Sequence, residues 1–324
     1  MKLRMMIPAV LALLAFPVSA AENYPVRPIR IVVTYVPGGN TDNVARLVSP
    51  HLTGLLGQSI VIDNRGGAGG VVGTEIAAHA APDGYTLLFG TSAGLSINPL
   101  LHAKLPYDVE RDFAPVSLLV VIPQLMVAYP GLPAKNLGEF LKLARAQPGK
   151  FNYASVGVGS PNHLGMELLK SMTGVDIVHV PYKGSSPAVI DLLAGNVSVF
   201  FSSIPVMLQH VKAGKLRALA VGSAKRSPAA PEIPTVAESG VPGFEYVTWY
   251  GLFVPSRTPR AIVVRLNDAV VKSLRSAQLE QQLRTQGADP RPTTPDEVVA
   301  FMKVERARWE KVVKATGLAG KANP

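Results

Sequence analysis

Apolar positions along this chain fall into two alternating kinds of run. Short β-branched runs such as Ile29 to Thr34 are followed by glycine-containing turns, and then by apolar residues at helical spacing. The first helical run, from Thr41 to near Gly57, places Val44, Leu47, Val48, Leu52 and Leu55 on one face. Ser59 to Asp63 reads as a second strand, a helical segment extends to about Ala80, and Tyr85 to Gly90 reads as a third strand. This β-α-β-α-β rhythm predicts a parallel sheet with helices on both faces.

The rhythm stops at 105–135, where Pro106, Pro115, Pro123, Pro130 and Pro133 fall close together. Val116 to Val121 and Leu125 to Tyr129 read as short strands broken by Pro123. A helix follows at about 136–146, and the alternation then resumes. Strands are predicted at Phe151 to Ser155, Asp176 to Val180, Val197 to Phe201 and Leu216 to Val221, with helices between them. A second proline-dense region at 223–245 precedes a strand at Phe244 to Val254. Helices are then predicted near 259–275, 277–286 and 295–316, the last with Thr294 as N-cap, Pro295 at N1 and acids in its first turn. Two interruptions between similar halves predict an α/β chain of two lobes. Residues 21–122 and 246–324 form the first lobe and 123–245 the second, each a mostly parallel sheet flanked by helices. About 300 residues also exceed one ~150-residue unit.

The first twenty residues stand outside this pattern. Lys2 and Arg4 precede an apolar run from Met5 to Phe16, and Val18-Ser19-Ala20 is a small-residue cleavage site. A signal peptide cleaved near Ala20 and an exported, soluble chain are expected, since the run is shorter than the ~20 residues of a membrane span. No cysteine is present, which excludes a disulfide framework, a lipoprotein anchor and thiolate-held metals. Removing Lys2 and Arg4 from the 32 Lys and Arg leaves 30 against 22 acids, a net of +8. The basic residues are scattered and aromatics are only 6%, so a nucleic-acid surface is not expected and acidic solutes fit the charge better.

Candidate chemistry gathers where strands hand over to helices. Tyr35-Val36-Pro37-Gly38-Gly39-Asn40-Thr41-Asp42 joins the first strand to the first helix, with Thr41 or Asp42 as N-cap. Its glycines admit a ligand close to the backbone, and first-turn N–H groups with the positive dipole end suit an anion. Asn64 to Gly70 is a second glycine-rich junction, but neither G-x-G-x-x-G nor a P-loop register is met. Thr91-Ser92 closes the third strand with two hydroxyls. In the second half, Ser155-Val156-Gly157-Val158-Gly159-Ser160 leads into a helix with Ser160 as N-cap and Pro161 at N1. The six histidines form no metal pattern, and neither a metal nor a cofactor is expected. His51 reads as a half-buried core residue, whereas His163 sits in a first helical turn from which it can line a cleft. Ser155 or Ser160 with His163 offers an alternative, an exported serine hydrolase, although Tyr153 replaces the first glycine of a nucleophile elbow.

Taken together these motifs resemble the Bug family, the TctC-like periplasmic solute receptors of tripartite tricarboxylate transporters. The resemblance rests on Tyr24-Pro25 with Pro28 to Val33, on Pro37-Gly38-Gly39 with Thr41-Asp42, and on Gly57-Gln58 with Asn64-Arg65 and Gly67 to Gly70. Pro82 to Leu88, Leu105 to Asp108, Gly159-Ser160 with His163-Leu164, His179 to Gly184, Gly214 to Val221 and Pro234 to Glu238 continue it in order. It implies a type II-like periplasmic-binding-protein fold with a ligand cleft between the lobes, no catalysis, and delivery of a small organic carboxylate to the membrane subunits of such a transporter. A monomer, and a di- or tricarboxylate or aromatic acid as ligand, are expected. A ligand-loaded partner of a sensor uses the same site. The implied ligand contacts are Tyr35, Pro37, Gly38, Gly39, Asn40, Thr41 and Asp42, then Gly69, Thr91 and Ser92. The other lobe supplies Ser155, Gly157, Gly159, Ser160 and His163, with Lys183 and Ser202. Family members commonly carry an acid where this chain has Ser202, so an amine-bearing ligand is disfavoured.

Magnitudes require both lobes. One helix terminus supplies ~0.3–1 kcal/mol, whereas micromolar affinity needs about 8 kcal/mol. Several charge-assisted hydrogen bonds formed together in a closing cleft are needed.

Overall fold

The β-branched run at Ile29–Val33 (β1) is almost wholly buried and forms the centre of a parallel trio. It pairs with Ile60–Asn64 (β2) on one side and Thr86–Thr91 (β3) on the other. The computed structural model describes residues 23–321, so the expected signal peptide at 1–20 lies outside the described residues. Helices Asn40–Leu56 (α1) and Val71–Ala78 (α2) connect the trio. Gly57 ends α1 in the left-handed conformation (φ 72°), its N–H bonded to Thr53 O. After β3 the chain makes a π-helical turn at Ala93–Ile97 and two short helices, Asn98–Leu101 (α3) and Val109–Asp112 (α4).

Phe113–Ala128 (β4) is one 16-residue strand. The break expected at Pro123 does not occur, for a physical reason. Up to Pro123 the strand runs antiparallel to Val247–Pro255 (β9), and from Gln124 it pairs instead with Val199–Ser203 (β7) and Arg217–Val221 (β8). Proline, which has no N–H to give, stands where the ladder changes partners.

The second half repeats the first. Helix Leu137–Ala146 (α5) leads to Asn152–Ser155 (β5), helix Pro161–Thr173 (α6), strand Val178–Pro181 (β6) and helix Ser185–Ala194 (α7). Helix Ile204–Lys212 (α8) joins β7 to β8. Strand β5 lies between β6 and β7, parallel to both. Within each lobe the βαβ strands are thus parallel, and the crossing strands β4 and β9 add antiparallel members because they enter from the other lobe. The predicted strand at 244–254 begins at Val247, since Phe244 and Tyr246 belong to the second lobe's core.

Helices Arg260–Leu274 (α9) and Ala277–Thr285 (α10) cover the first lobe, and Asp289–Pro290 (β10) pairs with β4. The last helix, Pro295–Ala315 (α11), departs from the expected assignment of 246–324 to the first lobe. Val298 packs in the first lobe beside Trp249, whereas Trp309, Val312 and Val313 lie in the second lobe's core with Phe140 and Tyr153. Twenty-one residues reach about 31 Å, enough to join the two cores. Buried Glu305 fastens the join by accepting hydrogen bonds from the indole N–H of Trp249 (2.9 Å) and of Trp309 (3.2 Å). No helix among the described residues is long and apolar enough to cross a membrane.

Candidate functional site

The loop between β1 and α1 turns on Gly38, whose φ of +86° favours glycine. Gly39, extended and without a side chain, is the N-cap of α1, so neither Thr41 nor Asp42 holds the position expected of it. Asp42 falls in the first turn and its carboxylate reaches back, as the third residue of a capping box does. Oδ2 accepts from Gly38 N and Arg46 Nε, both at 2.9 Å, and Oδ1 accepts from Asn64 Nδ2 at 3.0 Å. Burial works against ionisation, but the hydrogen bonds from Arg46, Gly38 and Asn64 outweigh it and hold this carboxyl below the usual range. Asn64 also donates to Tyr35 O at 3.0 Å, which fixes the start of the loop. The Asp42 carboxylate is therefore committed to positioning the loop. Pro37, Gly38, Gly39 and Asn40 are exposed. The backbone N–H groups of Asn40, Thr41 and Asp42 make no hydrogen bond among the described residues.

Behind this loop, Tyr35 Oη donates to Gly69 O at 3.3 Å and lies beside the Thr91 hydroxyl. Burial pushes the Tyr35 phenol up, so it stays a neutral donor. Thr91 and Ser92 are buried, and Thr91 Oγ1 accepts from Gly94 N at 3.2 Å where the π-helical turn begins. These residues share the C-terminal edge of the first sheet, the edge at which open α/β sheets take ligands.

The loop after β5 is built on the same plan. Ser160 caps α6, as the sequence suggests, with Pro161 at N1. Gly159, at φ +77°, donates its N–H to His163 Nδ1 at 3.0 Å. In both loops the central glycine amide is thus held by the side chain four residues ahead, Asp42 in one and His163 in the other. Ser160 Oγ donates to Gly157 O at 2.6 Å, and Gly157 N donates to Ser155 Oγ at 3.1 Å. Ser155 Oγ lies 2.6 Å from Nε2 of His179, the residue sequence reasoning overlooked. His179 stacks on His163 with ring centroids 4.1 Å apart, and Tyr153 stacks on His179 at 4.9 Å. Only adjacency on neighbouring strands β5 and β6 brings these rings together, a pairing with no local signal in the sequence. Burial, then the neighbouring His179, pushes the His163 imidazole down to about 4, and burial also lowers His179.

This geometry does not form the serine–His163 pair of the hydrolase alternative. Ser155 meets His179 rather than His163, and the hydroxyls of Ser155 and Ser160 both donate to Gly157 O of their own loop.

One short helix touches both loops' surroundings. Asn98 of α3 donates to Gly69 O at 3.1 Å, and a Cβ added to Gly159 would stand 2.9 Å from Leu101 at the other end of α3. A Cβ on Gly38 would meet nothing within 4 Å, so the first loop faces open space. Lys183 is exposed, makes no ion pair among the described residues, and follows Tyr182, whose N–H donates to Ser155 O. Ser202 is buried in β7 opposite Leu125. A separate cavity of about 850 Å3 lies between α11, residues 99–113 and Phe253, and none of the predicted site residues lines it.

Residues 44–318 match the family described as the tripartite tricarboxylate transporter family receptor, TctC. The chain is 41% identical to BugT of Bordetella pertussis over 305 residues, covering 94% of this chain and 93% of that protein. Among solved structures it resembles Rpa4515 of R. palustris with adipate at 39% identity and a TM-score of 0.79, covering 91% of this chain and 99% of the other. It also resembles MatC of Rhodopseudomonas palustris with bound malate at 37% identity and a TM-score of 0.74, covering 90% of this chain and all of the other. The architecture is the two-lobed α/β fold of these binding proteins, and such proteins are receptors rather than enzymes.

Proposed function

The chain belongs to the tripartite tricarboxylate transporter receptor family, and on that premise we propose that it captures a small organic carboxylate between its lobes. It then delivers that solute to the integral membrane subunits of a tripartite transporter. The receptor works in the periplasm as a monomer, with lobes near 21–122 plus 246–324 and 123–245, the last turns of α11 riding with the second lobe. Its solute is a di- or tricarboxylate or an aromatic acid.

The observation that carries the reading is the row of unpartnered N–H groups at Asn40, Thr41 and Asp42, on a loop braced from behind by the Asp42 carboxylate. Three amide donors at a helix start suit one carboxylate. Tyr35, Thr91, Ser92 and Gly69 form the wall behind it, and Ser155, Gly157, Gly159, Ser160 and His163 close from the other lobe. In this reading Lys183, exposed and outside any ion pair among the described residues, pairs with a second carboxylate of the ligand, and Ser202 adds no charge to the site. The bound acids of Rpa4515 and MatC support this choice of ligand class.

Thermal unfolding of the purified protein with a library of mono-, di- and tricarboxylates and aromatic acids tests the proposal. A binding acid raises Tm with concentration, by mass action on the native state. No shift with any acid at millimolar concentration would falsify it.

A further inference from the structure

Neither loop has a cation to spend on an anion. Arg46 is committed to Asp42 and Asn64, and the second loop offers only imidazoles. The donors that shape this turn are largely engaged from within: the Gly159 N–H by His163, Gly157 N by Ser155, and Ser160 N by Gly157 O, whereas Val158 N and Asn162 N have no hydrogen-bond partner among the described residues. A carboxylate that docks on the Gly159 N–H, the central amide of the turn, must take it from the imidazole that already holds it. Nδ1 of His163 would then be a buried acceptor with no donor, beside a negative charge, a costly arrangement. A proton on that nitrogen resolves both faults, because it turns the acceptor into a cationic donor.

We propose that His163 is the latch of the second loop: a ligand carboxylate takes the Gly159 N–H from Nδ1, and Nδ1 takes one proton from solvent in exchange. The inference rests on reading these loops as the carboxylate site. The exchange balances, since one N–H···N bond is lost, one N–H···O bond forms, and one proton enters with one anion. The receptor thereby carries its acid as a net-neutral pair at this loop. The groups facing His163 fit this role. On β6, His179 stacks against it and limits the pair to a single proton, as two imidazolium rings 4.1 Å apart repel. On β5, Tyr153 lies 6.3 Å from His163 with its ring near-parallel and donates to Glu167 of α6 at 2.6 Å, and Lys170 of the same helix binds Glu167 at 2.7 Å, so that acid and base are matched. Ser155 holds His179 in place. The depressed proton affinity of the empty loop keeps the latch closed at neutral pH.

Calorimetric titration of the purified protein with adipate and with malate, in buffers of different ionisation heat, measures protons taken up per acid bound. Uptake is expected, larger at about pH 5.5 than at about pH 7, and absent in His163→Gln, whose side-chain oxygen holds the Gly159 amide without titrating. Binding without uptake, or uptake that persists in His163→Gln, overturns the latch. If neither acid binds, the choice of these ligands fails, and the latch is decided by 15N spectra of labelled histidine in the empty protein. Nδ1 of His163 bare and Nε2 protonated at about pH 7 supports it; a proton on Nδ1 overturns it.

Discussion

The two glycine loops share a plan and differ in what holds them. In each, a glycine at positive φ gives its amide to a side chain one helical turn ahead. The first loop uses a carboxylate that is ionised across the physiological range and braced by Arg46 and Asn64. The second uses a neutral imidazole stacked on His179, which Tyr153 also stacks against. The first leaves three consecutive helix-start amides unpartnered, whereas in the second Gly157, Gly159 and Ser160 all have their amides held within the loop.

The largest expected contrast is in acid. His163 titrates lower in the folded protein than its unfolded value of about 6.5, so the unfolded chain binds the proton first. Stability is therefore lost as pH falls from about 6.5 towards about 4, by roughly 3 kcal/mol at the limit, and levels off below. Asp42 has the same sign in a lower window: its carboxyl is also held down in the folded protein, so its contribution is lost only as pH falls below its unfolded value of about 3.9. Urea midpoints at about pH 7 and about pH 4.5 should differ less in His163→Gln than in the parent. Equal slopes would assign the acid loss elsewhere.

The next contrast removes the brace of the first loop. Asp42→Ala strips three hydrogen bonds from a carboxylate whose side chain is only 3% exposed, but Arg46 remains 54% exposed and is rescued by water. We expect a loss of about 2 kcal/mol by urea denaturation, with weakened acid binding in the thermal-shift assay. A stable variant with unchanged affinity would remove the loop from the site.

The smallest contrast compares Gly38→Ala with Gly159→Ala. Both place a side chain at positive φ, at a cost of about 1–2 kcal/mol. Only the second also drives a Cβ against Leu101, so it should lose about 1 kcal/mol more by the same denaturation. Equal losses would mean that the second loop does not bear on α3.

The β-branched run at Ile29–Val33, the apolar run at Val197 to Phe201, the Ser160–Pro161 helix start and the alternation of strands with helices were legible from residues alone. Each is a local preference of backbone and side chain, repeated at the period its element requires. Proline spacing likewise marked the interruption near Pro123, although not that the strand runs through it, because only a neighbouring strand decides whether an N–H is needed there.

Sequence by itself therefore determined the elements, the lobed alternation and the two glycine loops at strand ends. Tertiary structure alone decided which partner each loop amide keeps, that the Asp42 carboxylate braces its loop, and that His179 lies on His163 and Ser155. It also decided that α11 leaves one lobe for the other and joins them through Glu305. Contacts of this kind depend on which strand lies beside which, and no local spacing encodes a neighbour brought in from β6 to β5 or from Trp249 to Glu305.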